Sequence, residues 1–373
     1  MKAAGQRTDD WARPWLEAEA SDAFTDAITA VSWAPSGDAL AAGSLGGEVR
    51  IVAGGGHEAP APASSPIALH PGGALCLAWS HDSAWVASGG TDARLVVRHR
   101  RMGTGMEVEL AGWVRSVAWS RDGWLAAAAG REVYGAHLDD GRWHTLAPHP
   151  GPVTALAWSD RSSPGLPSRL AVAGVGGLRW YEPSRDGEPV ASRWEAAALL
   201  TMVVDAAAGT VAAGSLRGRV WVSGVGPGPC ARAHGRLGPV RRLAWSRGAS
   251  RLAAAEESRI AVWDHRRSRA AQPGRLQDAI AHPSAFVSLP AHPGGVSDVA
   301  WDPGGEILAS VGADGHVALW KPDETRDPLQ RIDLGEPLSC LAWRPDGTGL
   351  AAGGEAGSLH RLRLRHRPPT SRP

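Results

Sequence analysis

Val296-Ser297-Asp298-Val299-Ala300-Trp301, then Asp302-Pro303, then Ile307-Leu308-Ala309-Ser310, then Asp314-Gly315, then Val317-Ala318-Leu319-Trp320, is the stretch whose reading decides the fold. Its apolar runs are four to six residues long, carry no helical stripe and are bounded by Gly, Pro and Asp. Runs of that kind read as short strands joined by tight turns.

The first of these strands recurs along the chain. Val31-Ser32-Trp33, Leu77-Ala78-Trp79, Val117-Ala118-Trp119, Leu156-Ala157-Trp158, Leu243-Ala244-Trp245, Val299-Ala300-Trp301 and Leu341-Ala342-Trp343 are one element. Their Trp residues are spaced by 46, 40, 39, 87, 56 and 42 positions. The gap of 87 holds a degenerate copy at residues 199–204, followed by Val211-Ala212-Ala213-Gly214. Eight units then share a mean period of about 44 residues, within the range of four-stranded propeller blades. A second strand such as Leu40-Ala41-Ala42-Gly43, a third such as Val49-Arg50-Ile51 and a fourth in the variable linker (Glu107-Val108-Glu109-Leu110) complete each unit. The spacing predicts an all-β chain: one closed β-propeller of eight blades, each of about four antiparallel strands. Seven blades is the alternative, should residues 199–222 not form one.

Closure follows from the physics of strand edges, since an open ring leaves unpaired backbone at both ends. The last unit ends with its third strand, residues 358–364, and nothing in register follows. Residues 15–20 precede the first full unit and are expected to supply the missing strand. The propeller is therefore expected over residues 11–364, between flexible ends at 1–10 and 365–373.

Composition narrows the function classes. With 39 basic and 38 acidic side chains the formal charge is +1, which gives no electrostatic reason to bind nucleic acid or an anionic membrane. Lys2 and Lys321 are the sole lysines, so Arg carries the positive charge, as a GC-rich and presumed bacterial genome would produce. No apolar run approaches the length of a spanning helix, and residues 1–10 lack the apolar stretch of a secretory signal. Three cysteines, Cys76, Cys230 and Cys340, suit a reducing cytoplasm better than a disulfide framework. The expectation is a cytoplasmic monomer.

The units resemble WD repeats, the WD40 β-propeller family, over about residues 11–364. The seventh matches best, with His292-Pro293-Gly294, Trp301-Asp302, Ser310, Asp314-Gly315 and Trp320; Trp263-Asp264 is the one surviving Trp-Asp pair at the end of a third strand. The resemblance implies a structural brace of His292, Ser310, Asp314 and Trp320. Unit two keeps His70, Ser88 and Asp92 with Arg98 at the Trp position. Unit four keeps His149 and Trp180, with Gly176 in place of Asp. It also implies that the position four residues before each Trp opens the innermost strand at the top of the ring, where partners of the family often dock. Here that position is Thr29, Leu75, Arg115, Thr154, Leu200, Arg241, Ser297 and Ser339. It varies in size and charge, and Trp113 and Arg242 extend it into a polar–aromatic rim suited to binding hot spots.

Other chemistry is not indicated. His70, His149, His282 and His292 each precede Pro, and three of them lie nine residues before a repeat Trp, on separate units. No His/Cys group has metal-ligand spacing, and no cofactor is expected. Cys76 and Cys340, each three residues before a Trp, read as small buried hydrophobes without an activating neighbour. Nucleophile elbow, phosphate-binding loop and dinucleotide fingerprint are all missing. The Arg361-Leu362-Arg363-Leu364 run reads as a strand with one buried face, and the Asp264–Ala291 linker, with Arg266-Arg267-Ser268-Arg269, as a loop projecting beyond its fourth strand. The functional expectation is a non-catalytic scaffold that binds a protein or peptide through the top face or the inter-blade loops. A propeller enzyme or small-ligand binder using the central channel is the alternative, and a metal-homeostasis accessory protein a third reading.

Overall fold

The computed structural model describes residues 15–54, 66–139, 141–159, 168–182, 187–194, 197–205, 209–224, 230–233, 237–264, 283 and 286–365. They form eight four-stranded sheets, and in each the chain runs outward from an inner strand that ends at the repeat Trp position. The sheets are blades of a closed ring. Blade 1 spans residues 28–69, blade 2 residues 74–109, blade 3 residues 114–146 and blade 4 residues 153–193. Blade 5 covers residues 199–232, blade 6 residues 242–290 and blade 7 residues 296–333. Blade 8 takes three strands from residues 338–364 and its outermost strand, Leu16–Ala23, from the other end of the chain.

The degenerate unit is a true blade: Leu199–Asp205, Thr210–Ser215, Val220–Gly224 and Cys230–Arg232 pair in order. Closure follows the expected route, with Leu16–Ala23 lying antiparallel to Ser358–Leu364 from Leu16↔Leu364 to Ala23↔Ser358. Charge fixes this register. Acidic Glu17 and Asp22 meet Arg365 at 2.6 Å and Arg361 at 3.2 Å, while Gln330 of blade 7 accepts from the backbone N–H of Trp15 and Leu16 at 2.9 Å. In blade 6 the fourth strand is Phe286–Pro290, at the far end of the longest linker. The Arg266–Arg269 run thus precedes that strand and, with His282, lies outside the described residues, as do residues 1–10 and 366–373.

The core lies between blades. One apolar cluster joins Ile28, Trp33 and Leu40 of blade 1 to Cys340, Ala351 and Leu359 of blade 8, and the other seams repeat the pattern. Buried indoles need an N–H acceptor, and at six of the eight seams the repeat supplies it across the seam; Trp301 Nε1 of blade 7 is buried without one, and blade 5 has Val204 in place of the Trp. The Nε1 atoms of Trp79, Trp119 and Trp158 donate to the carbonyls of Ser32, Ala78 and Ala118 at 2.9–3.2 Å. Trp245, Trp343 and Trp33 reach Val203, Ala300 and Ala342 in the same way. Each acceptor is the residue before the Trp position of the preceding blade. Six of the eight seams carry this bond, the closing one included.

A second set of bonds lies within blades. In blade 7, His292 Nδ1 is 2.8 Å from Asp314 Oδ1, His292 Nε2 is 2.8 Å from Ser310 Oγ, and Trp320 Nε1 donates to the same Oγ at 2.8 Å. Blade 2 repeats the first two contacts with His70, Asp92 and Ser88. Blade 4 departs from this. Its register puts Val172 where Ser310 stands and Tyr181, not Trp180, where Trp320 stands, because its second hairpin is one residue shorter. Tyr181 finds its own acceptor, the Ala147 carbonyl at 2.9 Å, and His149 Nδ1 bonds the Gly151 carbonyl at 3.1 Å. Buried His149 Nε2 is left without a hydrogen-bond partner. Val172→Thr, which keeps the volume and adds a hydroxyl, should raise unfolding stability by about 1 kcal/mol. An unchanged denaturant midpoint would mean that the hydroxyl does not reach the ring.

Candidate functional site

Antiparallel order sorts the connections between two faces. Inner strands run downward to the Trp, so the turns between second and third strands and the passages between blades all lie on the top. Among the described residues, five of the six exposed large apolar side chains lie on that face. Leu45, Val175 and Leu216 sit in second-to-third-strand turns, Leu69 ends the outer strand of blade 1, and Trp113 stands in the passage into blade 3. Met102, between the third and fourth strands of blade 2, is on the bottom. Glycine closes two of these turns: Gly47 and Gly218 have φ +91° and +68°. A Cβ there would lie 2.1 Å and 1.8 Å from the carbonyl oxygens of His70 and Leu237. The top turns are thus pressed against the neighbouring passages, which fixes where their apolar residues stand.

The position four residues before the Trp has a structural identity that the sequence did not reveal. In seven blades it is the extra residue of a β-bulge in the inner strand: Thr29, Leu75, Arg115, Thr154, Leu200, Ser297 and Ser339. Arg241 immediately precedes the inner strand Arg242–Trp245 of blade 6. A bulge bends its strand and re-aims one side chain out of the pleat.

The ring puts these residues to different uses. Thr29 Oγ1 donates toward the carbonyls of Gly43 and Ala74, and Thr154 Oγ1 toward those of Ala173 and Leu199. Ser339 Oγ does the same toward Gly353 and Ile28. All three hydroxyls therefore bridge to the next blade. Leu75, Leu200 and Ser297 are half-buried on the rim, whereas Arg115, Arg241 and Arg242 are exposed. The Arg115 guanidinium lies 4.9 Å from the centre of the Trp113 ring, a cation–π contact that holds both side chains upright. Val175 and Leu216 flank Ala198, the first by a β-bridge and the second through its N–H to the Ala198 carbonyl at 3.1 Å. An apolar arc over blades 4 and 5 results.

Asp298 escaped the sequence reading. It lies in the inner strand Val296–Trp301, 3.5 Å from Arg242 Nε, and accepts the backbone N–H of Val299 at 2.9 Å and of Leu341 at 3.0 Å. Burial raises its carboxyl above the ordinary range, with Arg242 and the two amides opposing. Ser116 accepts from the Leu156 N–H of the next blade at 3.1 Å. Ser116 and Asp298 both stand three residues before their Trp, as Cys340 does. Polarity there is the available signal, and it marks stitching at the inner edge. Burial drives the thiols of Cys76 and Cys340 up to about 12, far from the thiolate that nucleophilic chemistry requires. Among the described residues no group of three His, Cys, Asp or Glu could hold a metal ion.

The architecture defines an eight-bladed β-propeller with a brace of WD-repeat type. Residues 20–52, 67–97 and 284–321 match the family model described as WD domain, G-beta repeat. Two of the matched segments begin at or just before the outer strand of one blade and end with the third strand of the next. The family's sequence unit thus straddles the structural blade, as a ring closed by its first strand requires. No curated protein matches the chain, and no helix among the described residues is long and apolar enough to cross a membrane.

Proposed function

We propose that the protein is a non-catalytic interaction scaffold that holds a protein or peptide partner on the top face of the ring. The observation that carries this reading is the gathering of exposed large apolar side chains on that face, beside the bulge-presented Arg115 and the rim residue Arg241. Monomeric proteins rarely leave contiguous apolar surface uncovered without a use for it. Trp113, Arg115, Arg241 and Arg242 are of the residue types that dominate interface energetics. Thr29, Thr154 and Ser339 serve the reading by fixing the rim, and Ser297 lines it. The partner segment is acidic or carboxylate-bearing, since Arg115 and Arg241 stand three blades apart and meet charge from two sides. Action in the cytoplasm, as a monomer and without a cofactor, belongs to the same reading.

The test is capture of one partner by two forms of the protein. A partner that co-purifies with the wild type should be captured at least tenfold more weakly by the Arg115→Glu/Arg241→Glu double variant, about 1.4 kcal/mol, at unchanged thermal stability. Equal capture by both forms would remove the top rim from the interface.

A further inference from the structure

On the opposite face, where blade 8 meets blade 1, the closing seam holds a cleft of about 560 Å³ lined by Glu19, Trp33, Gly54, Arg344, Arg361 and Arg363, among others. Its size falls within the range of small-molecule sites. The strands around it come from both ends of the chain, so the cleft exists only in the closed ring.

Two of its three guanidiniums are held in place. Arg344 lies 5.5 Å over the Trp33 ring, donates through Nη1 to the Gly54 carbonyl at 2.9 Å, and has Nε 3.1 Å from Asp346 Oδ2. Arg361 donates through Nη1 to the Ala53 carbonyl at 2.7 Å, and its Nη2 lies 3.2 Å from Asp22 Oδ2. The Nε of Arg361 is buried without a hydrogen-bond partner, and that of Arg344 has the Asp346 carboxylate as its neighbour. The third, Arg363, is exposed and has no ion-pair or hydrogen-bond partner among the described residues. Guanidinium forks match the oxygens of a phosphate group. Beyond the Trp33 indole and Leu362 the lining is polar, and its three guanidiniums outnumber the carboxylates of Glu19 and Asp346, which favours a hydrophilic anion over an apolar ligand.

We propose that the seam cleft between blades 8 and 1 binds a small phosphorylated molecule through Arg344, Arg361 and Arg363. Such a ligand touches the closing strand at Glu19, blade 1 at Trp33 and Gly54, and blade 8 at its three Arg. Occupancy therefore clamps the ring where it closes and raises its stability by mass action.

Calorimetric titration of the full chain with pyrophosphate, ATP and citrate tests the assignment, with melting temperatures followed in parallel. Pyrophosphate or ATP should bind, raise the melting temperature and weaken steeply with added salt. Arg363→Gln, a surface change that leaves the fold intact, should weaken binding at least tenfold, whereas Arg259→Gln on the top of blade 6 should not. Absence of binding by both phosphate probes at millimolar concentration would overturn the proposal. So would affinity that Arg363→Gln leaves untouched, which would place the anion elsewhere. Tighter binding of citrate than of either phosphate probe would overturn the phosphate assignment.

Discussion

Removal of residues 1–22 should leave no cooperative unfolding transition near that of the intact protein. The deletion takes away nearly all of the outermost strand of blade 8, including Leu16, which is almost wholly buried, and the ion pairs of Glu17 and Asp22. Burial of one Leu side chain stabilises by about 1.5–3 kcal/mol, and each lost strand hydrogen bond adds about 0.5–1.5 kcal/mol. The sum is on the order of 5 kcal/mol or more, comparable with the whole stability of many domains. The exposed edge at Ser358–Leu364 also invites pairing between molecules. Differential scanning fluorimetry with size-exclusion chromatography should show a melting temperature lowered by many degrees and a shift toward aggregates. A truncated protein that stays monomeric with an unchanged transition would show that closure does not depend on this strand.

The second large effect is expected from Ser310→Ala. Ser310 Oγ is the hub of the blade 7 brace, and His292 and Trp320 beside it are buried. A neutral imidazole with its proton on Nδ1 donates to Asp314 and accepts from Ser310, whose oxygen accepts from Trp320, so every group is satisfied. Loss of the hydroxyl strands two buried groups at about 1–3 kcal/mol each, which chemical denaturation should register as a lowered midpoint at unchanged slope. Less than about 1 kcal/mol would mean that the brace contributes little here. The same chemistry sets an acid limit. Burial, against the pull of the neighbouring Asp, lowers the His70 and His292 imidazoles below their ordinary range, and burial lowers His149 likewise. In the window between the folded and unfolded pKa values the unfolded state binds more protons. Stability conferred by these groups is thus present above about pH 6.5 and is lost as pH falls through the folded values.

Blade count and closure were legible because both rest on spacing along the chain. The 87-residue gap between Trp158 and Trp245 demanded a blade even without its Trp, and a last unit with three recognisable strands pointed to residues 15–20 for its fourth. The bonding was less legible because it runs through space. Nothing in Leu156-Ala157-Trp158 says that the indole will seek the carbonyl of Ala118 forty residues earlier. Trp180 was misassigned to the brace because a hairpin shorter by one residue turns alternate side chains to the other face. Leu45, Val175 and Leu216 passed unnoticed because an apolar residue beside Gly in a turn looks ordinary until the ring sets several on one face. The seam cleft was hidden for a related reason: Arg344 and Gly54, which hydrogen-bond there, are 290 positions apart.

The clasp also has a consequence in time. Leu16–Ala23 leaves the ribosome early, yet its partner Ser358–Leu364 emerges some 335 residues later, counted from Ala23 to Ser358. At ordinary elongation rates the first strand waits roughly 20–70 s for it. Through that interval it must stay available without pairing to the wrong edge, and its sequence suits the delay. Leu16 is its one large apolar residue, while Glu17, Glu19 and Asp22 repel copies of the same strand on neighbouring nascent chains. The Arg-rich strand that finally arrives carries the opposite charge, so the early segment is kept idle by the same carboxylates that later select its partner.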